Sequence, residues 1–251
     1  MAFATIHYFS RSLAKASTVN VVFPDDPAAP RPWSAFYLLH GLSDDQSIWM
    51  RRTSVERYAS GLPLVVVMPD GGRGFYTNAA EGFAYEDDLL KDVVGLIDHT
   101  FPVKAERAGR AIGGLSMGGY GAVKIGLKHH ELFVSVNSHS GAVGFLRKPE
   151  HIQKFGNEFV RVFGPDPKGG PEDPFAIVEK VDHGLLPALR IDCGTGDFLI
   201  DQNRDFHAHL EQLHITHEYQ EYPGAHDWGY WDQHVREALA FHTRNLNLNV
   251  K

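Results

Sequence analysis

Gly114-Leu115-Ser116-Met117-Gly118 is a G-x-S-x-G pentapeptide, and its surroundings suit a serine nucleophile. Residues 108–113 before it read as a short strand, and residues 119–128 after it read as a helix that starts on small side chains. A sharp strand–turn–helix junction lifts a serine hydroxyl clear of a sheet. Flanking glycines let the two elements approach without Cβ clashes. The helix N-terminus favours negative charge beside the hydroxyl. The bland alternative is a glycine-rich turn with no chemistry.

A serine hydroxyl needs a neighbouring base at neutral pH. The chain has 15 histidines, so position has to choose among them. His226 lies in Tyr222-Pro223-Gly224-Ala225-His226-Asp227-Trp228, just after the last expected strand. There the chain order Ser, acid, His places the base. His40 precedes Ser116 and suits a loop. His129 and His130 end a helix, where imidazole tolerates the dipole. His207, His209, His214, His217, His234 and His242 read as solvated or half-buried. The acid must hold the other ring nitrogen and stabilise the imidazolium. Asp197, in Gly194-Thr195-Gly196-Asp197-Phe198-Leu199, follows a strand and precedes a helix. Asp192 lies inside that strand, Asp201 suits a helix cap and Asp205 lies within the helix.

An oxyanion hole needs backbone N–H groups aimed at the developing charge. One donor is expected from Met117, directly after the serine, and the other from Leu42 in the loop His40-Gly41-Leu42. His40, Gly41, Trp49 and Trp228 are the candidate substrate contacts. Metal chemistry has no motif behind it. There is no H-E-x-x-H, and His207-x-His209 on a helix would point its rings to different faces. No cofactor and no metal are expected.

These loops need a scaffold. Strands are expected at residues 3–9 and 17–23, then at 33–39, 64–68, 108–113, 132–136, 188–194 and 216–222. Helices are expected at 48–60, 85–100, 119–128, 202–213 and 230–244. The run 33–39 is nearly apolar throughout, as a strand buried on both faces should be. Repeated β-then-α units after an opening hairpin indicate an α/β fold with a mostly parallel, doubly wound sheet and helices on both faces. Ligands then bind at the carboxyl ends of the strands, and every candidate loop follows an expected strand. Residues 142–186 are irregular and read as a cap-like insertion in one domain spanning 1–251. Phe145, Phe155, Phe159, Phe163 and Phe175 in it suggest, together with Trp49, a wall that shortens the pocket. The alternative is that they only fill the core beneath the insertion.

The chain of 251 residues can bury a sizeable core. A net charge of -7 argues against nucleic acid or an anionic membrane as partner. Cys193 is the only cysteine, which excludes an internal disulfide and suits a buried strand. The N-terminus lacks the charged start and long apolar stretch of a signal peptide, so a cytoplasmic protein is expected. The partner expected is a small-molecule ester; a homo-oligomer is compatible with the sequence.

Leu38-Leu39-His40-Gly41-Leu42-Ser43-Asp44-Asp45, Trp49, Val66-Val67-Met68-Pro69-Asp70, the Gly114 to Ala122 run, Gly196-Asp197 and Gly224-Ala225-His226-Asp227-Trp228 together resemble the esterase D-like family of α/β-hydrolases. That family contains tributyrin, feruloyl and acetylxylan esterases, S-formylglutathione hydrolases and mycolyltransferases. Gly-Leu-Ser-Met-Gly-Gly-Tyr-Gly and the Trp49 to Arg57 segment are most similar to the tributyrin esterase branch. The resemblance implies an α/β-hydrolase fold, no cofactor, a Ser116-Asp197-His226 triad and oxyanion donors at Leu42 and Met117. It implies a serine carboxylesterase for short-chain acyl esters, working through an acyl-enzyme. Carbohydrate acetyl or feruloyl esters are the alternative substrates, and an S-formylglutathione hydrolase-like thioesterase is a further one. Gly119-Tyr120-Gly121 stands where the glutathione branch usually has Gly-His-Gly, which counts against that substrate. A non-catalytic binding protein on the same fold is the other class; it should have lost a triad member, and none is missing.

Overall fold

The computed structural model describes residues 1–248, with the backbone alone for 149–155. Its first elements are an antiparallel hairpin of β1 (Ala2–Ser10) and β2 (Lys15–Phe23). Then come β3 (Ser34–Leu39), the short helices α1 (Ile48–Arg52) and α2 (Val55–Ala59), and β4 (Leu64–Pro69). Residues 85–100 form one helical stretch of α3 (Tyr85–Asp87), a π-turn segment (Asp88–Val93) and α4 (Val94–Thr100). β5 (Arg110–Leu115) and α5 (Met117–Lys128) enclose the serine, and β6 (Ser135–His139) follows. Between β6 and β7 (Ala188–Gly194) lie α6 (Pro149–Phe163), kinked at Gly156, and α7 (Pro174–Val178). The chain continues through α8 (Ile200–Gln212), β8 (Glu218–Tyr222) and α9 (Trp228–Asn245).

The eight strands form one sheet in the order β1-β2-β4-β3-β5-β6-β7-β8. β1, β2 and β4 pair antiparallel, and every pair from β4–β3 to β7–β8 is parallel. Alternation along the buried strands feeds two cores. Ala35, Tyr37 and Leu39 join Val123, Ile125, Phe206 and Leu210 on one face; Phe36 and Leu38 join Trp49, Val55, Trp231 and Val235 on the other. Cys193 is buried in β7, as expected of a small hydrophobe. Among the described residues, no helix is long and apolar enough to cross a membrane.

Three elements differ from the sequence expectation. The helix expected at 48–60 is two helices, because Thr53 turns its hydroxyl back to the Trp49 carbonyl at 2.6 Å and the Ser54 N–H goes to Asp232 at 2.8 Å. The strand expected at 132–136 runs from Ser135 to His139, so its polar residues are in the sheet and buried. Ser135 and Asn137 find a partner in the His242 ring, at 2.8 and 2.9 Å. His234 and His242, expected to be solvated or half-buried, are buried: His242 faces β6, and His234 stacks on Tyr222 of β8. Burial pushes the His242 imidazole down to about 3.

The insertion phenylalanines pack mainly on one another. Phe145, Phe159 and Phe163 cluster with Phe75 and Tyr120, while Phe175 packs on Phe206. The side chain of Phe155 lies outside the described residues. These rings fill the core beneath the insertion, which removes the sequence argument that they wall the pocket.

A buried ion cluster ties the insertion to α5. The Lys124 ammonium, with no solvent exposure, donates to Glu86 at 2.6 Å, Glu172 at 2.9 Å and the Tyr76 carbonyl at 2.6 Å. Lys128 bonds the same two carboxylates from the rim. Burial alone would raise the Glu86 carboxyl. Hydrogen bonds from His129, Lys124 and Lys128, with the Lys124 charge, hold it well below the usual carboxylate range instead. Its contribution to stability is therefore present above about pH 4.3 and is lost as pH falls through the folded value. Lys124→Met would remove the buried cation and leave Glu86 and Glu172 with only Lys128 and His129 at the rim as charged partners. Chemical denaturation at neutral pH should show a loss of about 3–5 kcal/mol, against under about 1 kcal/mol for Lys128→Met at the rim. Equal, small losses for the two variants would contradict this reading of the cluster.

Candidate active site

Ser116 sits between β5 and α5 with φ 52° and ψ -116°. A non-glycine residue there costs about 1–3 kcal/mol, so its surroundings must hold it. Its N–H donates to the His139 carbonyl at 3.0 Å, and its own carbonyl accepts from Tyr120 and Ala142 at 3.0 and 3.1 Å. The turn also needs bare backbone on either side. A Cβ on Gly114 would lie 2.6 Å from the Leu39 carbonyl oxygen, and one on Gly118 2.5 Å from it. The end of β3 thus runs against the elbow with no room for a methyl group.

The His226 ring spans the gap between two strand ends. Its Nε2 is 3.0 Å from Ser116 Oγ, and its Nδ1 is 2.9 Å from one Asp197 oxygen and 3.0 Å from the other. Asp197 is buried, in the turn after β7, and its Oδ1 also accepts the Leu199 N–H at 2.8 Å. Burial raises the Asp197 carboxyl, but hydrogen bonds from His226 and Leu199 outweigh it and keep the group below its ordinary value. An ionised Asp197 accepts from Nδ1–H, which leaves the Nε2 lone pair facing the serine hydroxyl.

The other carboxylates of that segment are engaged or remote. Asp192 is buried and takes a different ring: His139 Nδ1 lies 2.8 Å away, and the Tyr230 hydroxyl donates to it at 3.0 Å. Asp201 and Asp205 are exposed on α8. Asp201 does not cap that helix as expected; the N-cap is Leu199, and Asp201 lies inside the first turn.

The loop after β3 approaches the serine. A Cβ on Gly41 would stand 3.6 Å from Ser116 Cβ. Leu42 N–H donates to no backbone acceptor among the described residues. Met117 is the first residue of α5, where an N–H has no intrahelical partner. His40 is buried, with Nδ1 2.8 Å from the Gly41 carbonyl and Nε2 accepting the Gly71 N–H at 2.9 Å. The Tyr76 hydroxyl accepts the His40 N–H at 2.9 Å, and the Trp49 indole N–H donates to the Leu39 carbonyl at 3.0 Å. His40 and Trp49 therefore brace the loop. With 1% of its surface exposed, Trp49 does not offer the open wall expected of it.

Trp228 is half-buried and meets Trp49 and Trp231 edge to face, at 5.3 and 5.1 Å between centroids. Trp231 in turn lies 4.9 Å from the His226 ring. On the solvent side is a residue that sequence reasoning passed over. Phe198 is 73% exposed, and its ring lies 4.4 Å from His226. Its one signal was adjacency to Asp197 in a glycine-rich turn. An open groove of ≈ 440 Å³ between residues 73–85 and α6 contains none of Ser116, Asp197 and His226.

Residues 10–242 match the model of a family described as "Putative esterase". The chain is 29% identical to an acetyl esterase of Caldicellulosiruptor saccharolyticus over 258 residues, covering 95% of this chain and 97% of that protein. Its fold is similar to that of the fluorophosphonate-binding serine hydrolase F of Staphylococcus aureus, with a TM-score of 0.87 and 31% identity over 96% of this chain and 97% of the other. It is also similar to an S-formylglutathione hydrolase of Staphylococcus aureus, with a TM-score of 0.84 and 30% identity over 96% and 98%.

Proposed function

Since the chain belongs to the esterase family whose model it matches along most of its length, we propose that it is a serine carboxylesterase for short acyl chains in which Ser116 is the nucleophile, His226 the base and Asp197 the orienting acid. The observation that carries this reading is the unbroken hydrogen-bonded series from Asp197 through His226 to Ser116. Ser116 Oγ attacks the ester carbonyl carbon as its proton passes to His226 Nε2. The tetrahedral oxyanion is held by the Leu42 and Met117 N–H groups. His226 then protonates the departing alcohol, and the acyl group stays on Ser116. Water, deprotonated by the same nitrogen, attacks the acyl-enzyme and releases the acid. Asp197 stays ionised throughout and stabilises the imidazolium.

Two things support a short acyl chain. One is the similarity to an acetyl esterase. The other is the packed series Trp49, Trp228 and Trp231, which closes one side of His226. The exposed Phe198 ring favours a second reading on the alcohol side, a bulky or cyclic group such as an acylated sugar or a feruloyl ester. Tyr120 says little about substrate. Its ring is buried in the aromatic cluster and its hydroxyl donates to the Glu172 carbonyl at 2.7 Å.

Asp197→Asn should keep the fold and lower turnover by about 10⁴-fold, the magnitude that the wrong imidazole tautomer costs a serine protease. Exposed Asp201→Asn should stay within about twofold of the unaltered protein. Steady-state kinetics with thermal melts decide it; a dead Asp201→Asn beside an active Asp197→Asn would contradict the assignment. For substrate, acetyl to butyryl nitrophenyl esters should exceed the octanoyl ester in kcat/KM by at least roughly tenfold. Values that keep climbing with chain length would point to an open groove and overturn the short-chain reading. Acetylated sugars and methyl ferulate in the same series test the alcohol side.

A further inference from the structure

A second group of convergent polar side chains lies at the opposite end of the sheet from Ser116. His207 and Glu211 are one turn apart on α8, and His217 stands just before β8. One ligand atom from each lies within 4.8 Å of the other two. The two rings are held in place independently of any ion. His217 Nδ1 is 2.8 Å from the Ile215 carbonyl and so donates to it, which leaves the Nε2 lone pair for another partner. That Nε2 is 2.7 Å from His207 Nδ1. The His207 ring is stacked on Tyr219, with centroids 4.1 Å apart and planes 4° from parallel. A backbone carbonyl on the far ring nitrogen is the usual support of a metal-bound histidine. His209 takes no part: it turns to the Phe175 carbonyl and to Glu179.

We propose that His207, Glu211 and His217 form a binding site for a divalent transition ion of the zinc class, clamping α8 to β8. Two imidazoles and one carboxylate suit zinc rather than calcium or magnesium, with water as the fourth ligand. Tetrahedral bonds of about 2.0–2.1 Å would separate the two ring nitrogens by roughly 0.6 Å more than now, a small movement of side chains at a half-buried site. The proton on His207 Nδ1 moves to Nε2 of the same ring, so the ring stays neutral and no net proton is lost. His217 also borders an open groove of ≈ 550 Å³, so an ion has a route in. The ion would take no part in the ester chemistry. It would join the two elements whose other ends carry Asp197 and His226.

The test is zinc calorimetry on chelator-stripped full-length protein. His226→Ala serves as a control, because the active-site histidine can also bind zinc. The expected result is one site of micromolar or tighter affinity that survives His226→Ala, weakens at least tenfold in Glu211→Gln and disappears in His207→Ala. Glu211 is exposed, so its variant should fold. Cobalt(II) should show visible bands of tetrahedral intensity in the unaltered protein and lose them in His207→Ala. No binding tighter than about 100 µM, or equal binding in Glu211→Gln and His207→Ala, would overturn the proposal. The pair would then be a simple imidazole hydrogen bond.

Discussion

The His226 imidazole is tied at both nitrogens, and the rest of the molecule is arranged around that constraint. A carboxylate at 2.9 Å on one side and a hydroxyl at 3.0 Å on the other leave the ring one useful orientation. Its three participants come from the ends of β5, β7 and β8, in turns that follow one another along the same edge of the sheet. Parallel pairing in register is what brings those ends level. β6, between β5 and β7, contributes a carbonyl to the Ser116 N–H instead of a side chain to the relay.

Holding this geometry has structural costs. Ser116 occupies a strained backbone conformation that only the tight approach of β3, α5 and the β6 loop sustains. Asp197 is charged and buried, and it is tolerable because the His226 ring and the Leu199 N–H satisfy it. The same rule governs the polar layer beneath the site. Asp192 pairs with His139 and Tyr230, and His242 bonds Ser135 and Asn137. Asp192, His139, Tyr230, His242, Ser135 and Asn137 each have at least one partner in these networks, while the Ser138 hydroxyl on the same strand has none among the described residues.

The sequence was most readable where geometry is local. The elbow announced itself through glycine spacing, and the positions of His226 and Asp197 after strands followed from α/β order. What it could not show were contacts between distant residues. The polar run Asn137-Ser138-His139 falls outside the expected strand, because its partners are distant in the chain: His242 of α9 for Asn137 and Asp192 of β7 for His139. Trp49 reads as a pocket wall, but its indole is spent on the Leu39 carbonyl. The insertion phenylalanines read as substrate contacts, but Phe75 and Tyr120 reach them first. Phe198 was overlooked because a single aromatic in a turn has no pattern, and only the fold places it on His226.

The central claim is that Ser116 alone in this chain is made nucleophilic by its neighbours. Labelling with a fluorophosphonate, followed by intact mass and peptide mapping, tests it most directly. One adduct per chain is expected, on the peptide that holds Ser116, and none in Ser116→Ala. An adduct on another residue, or ester turnover that persists in Ser116→Ala, would contradict the account.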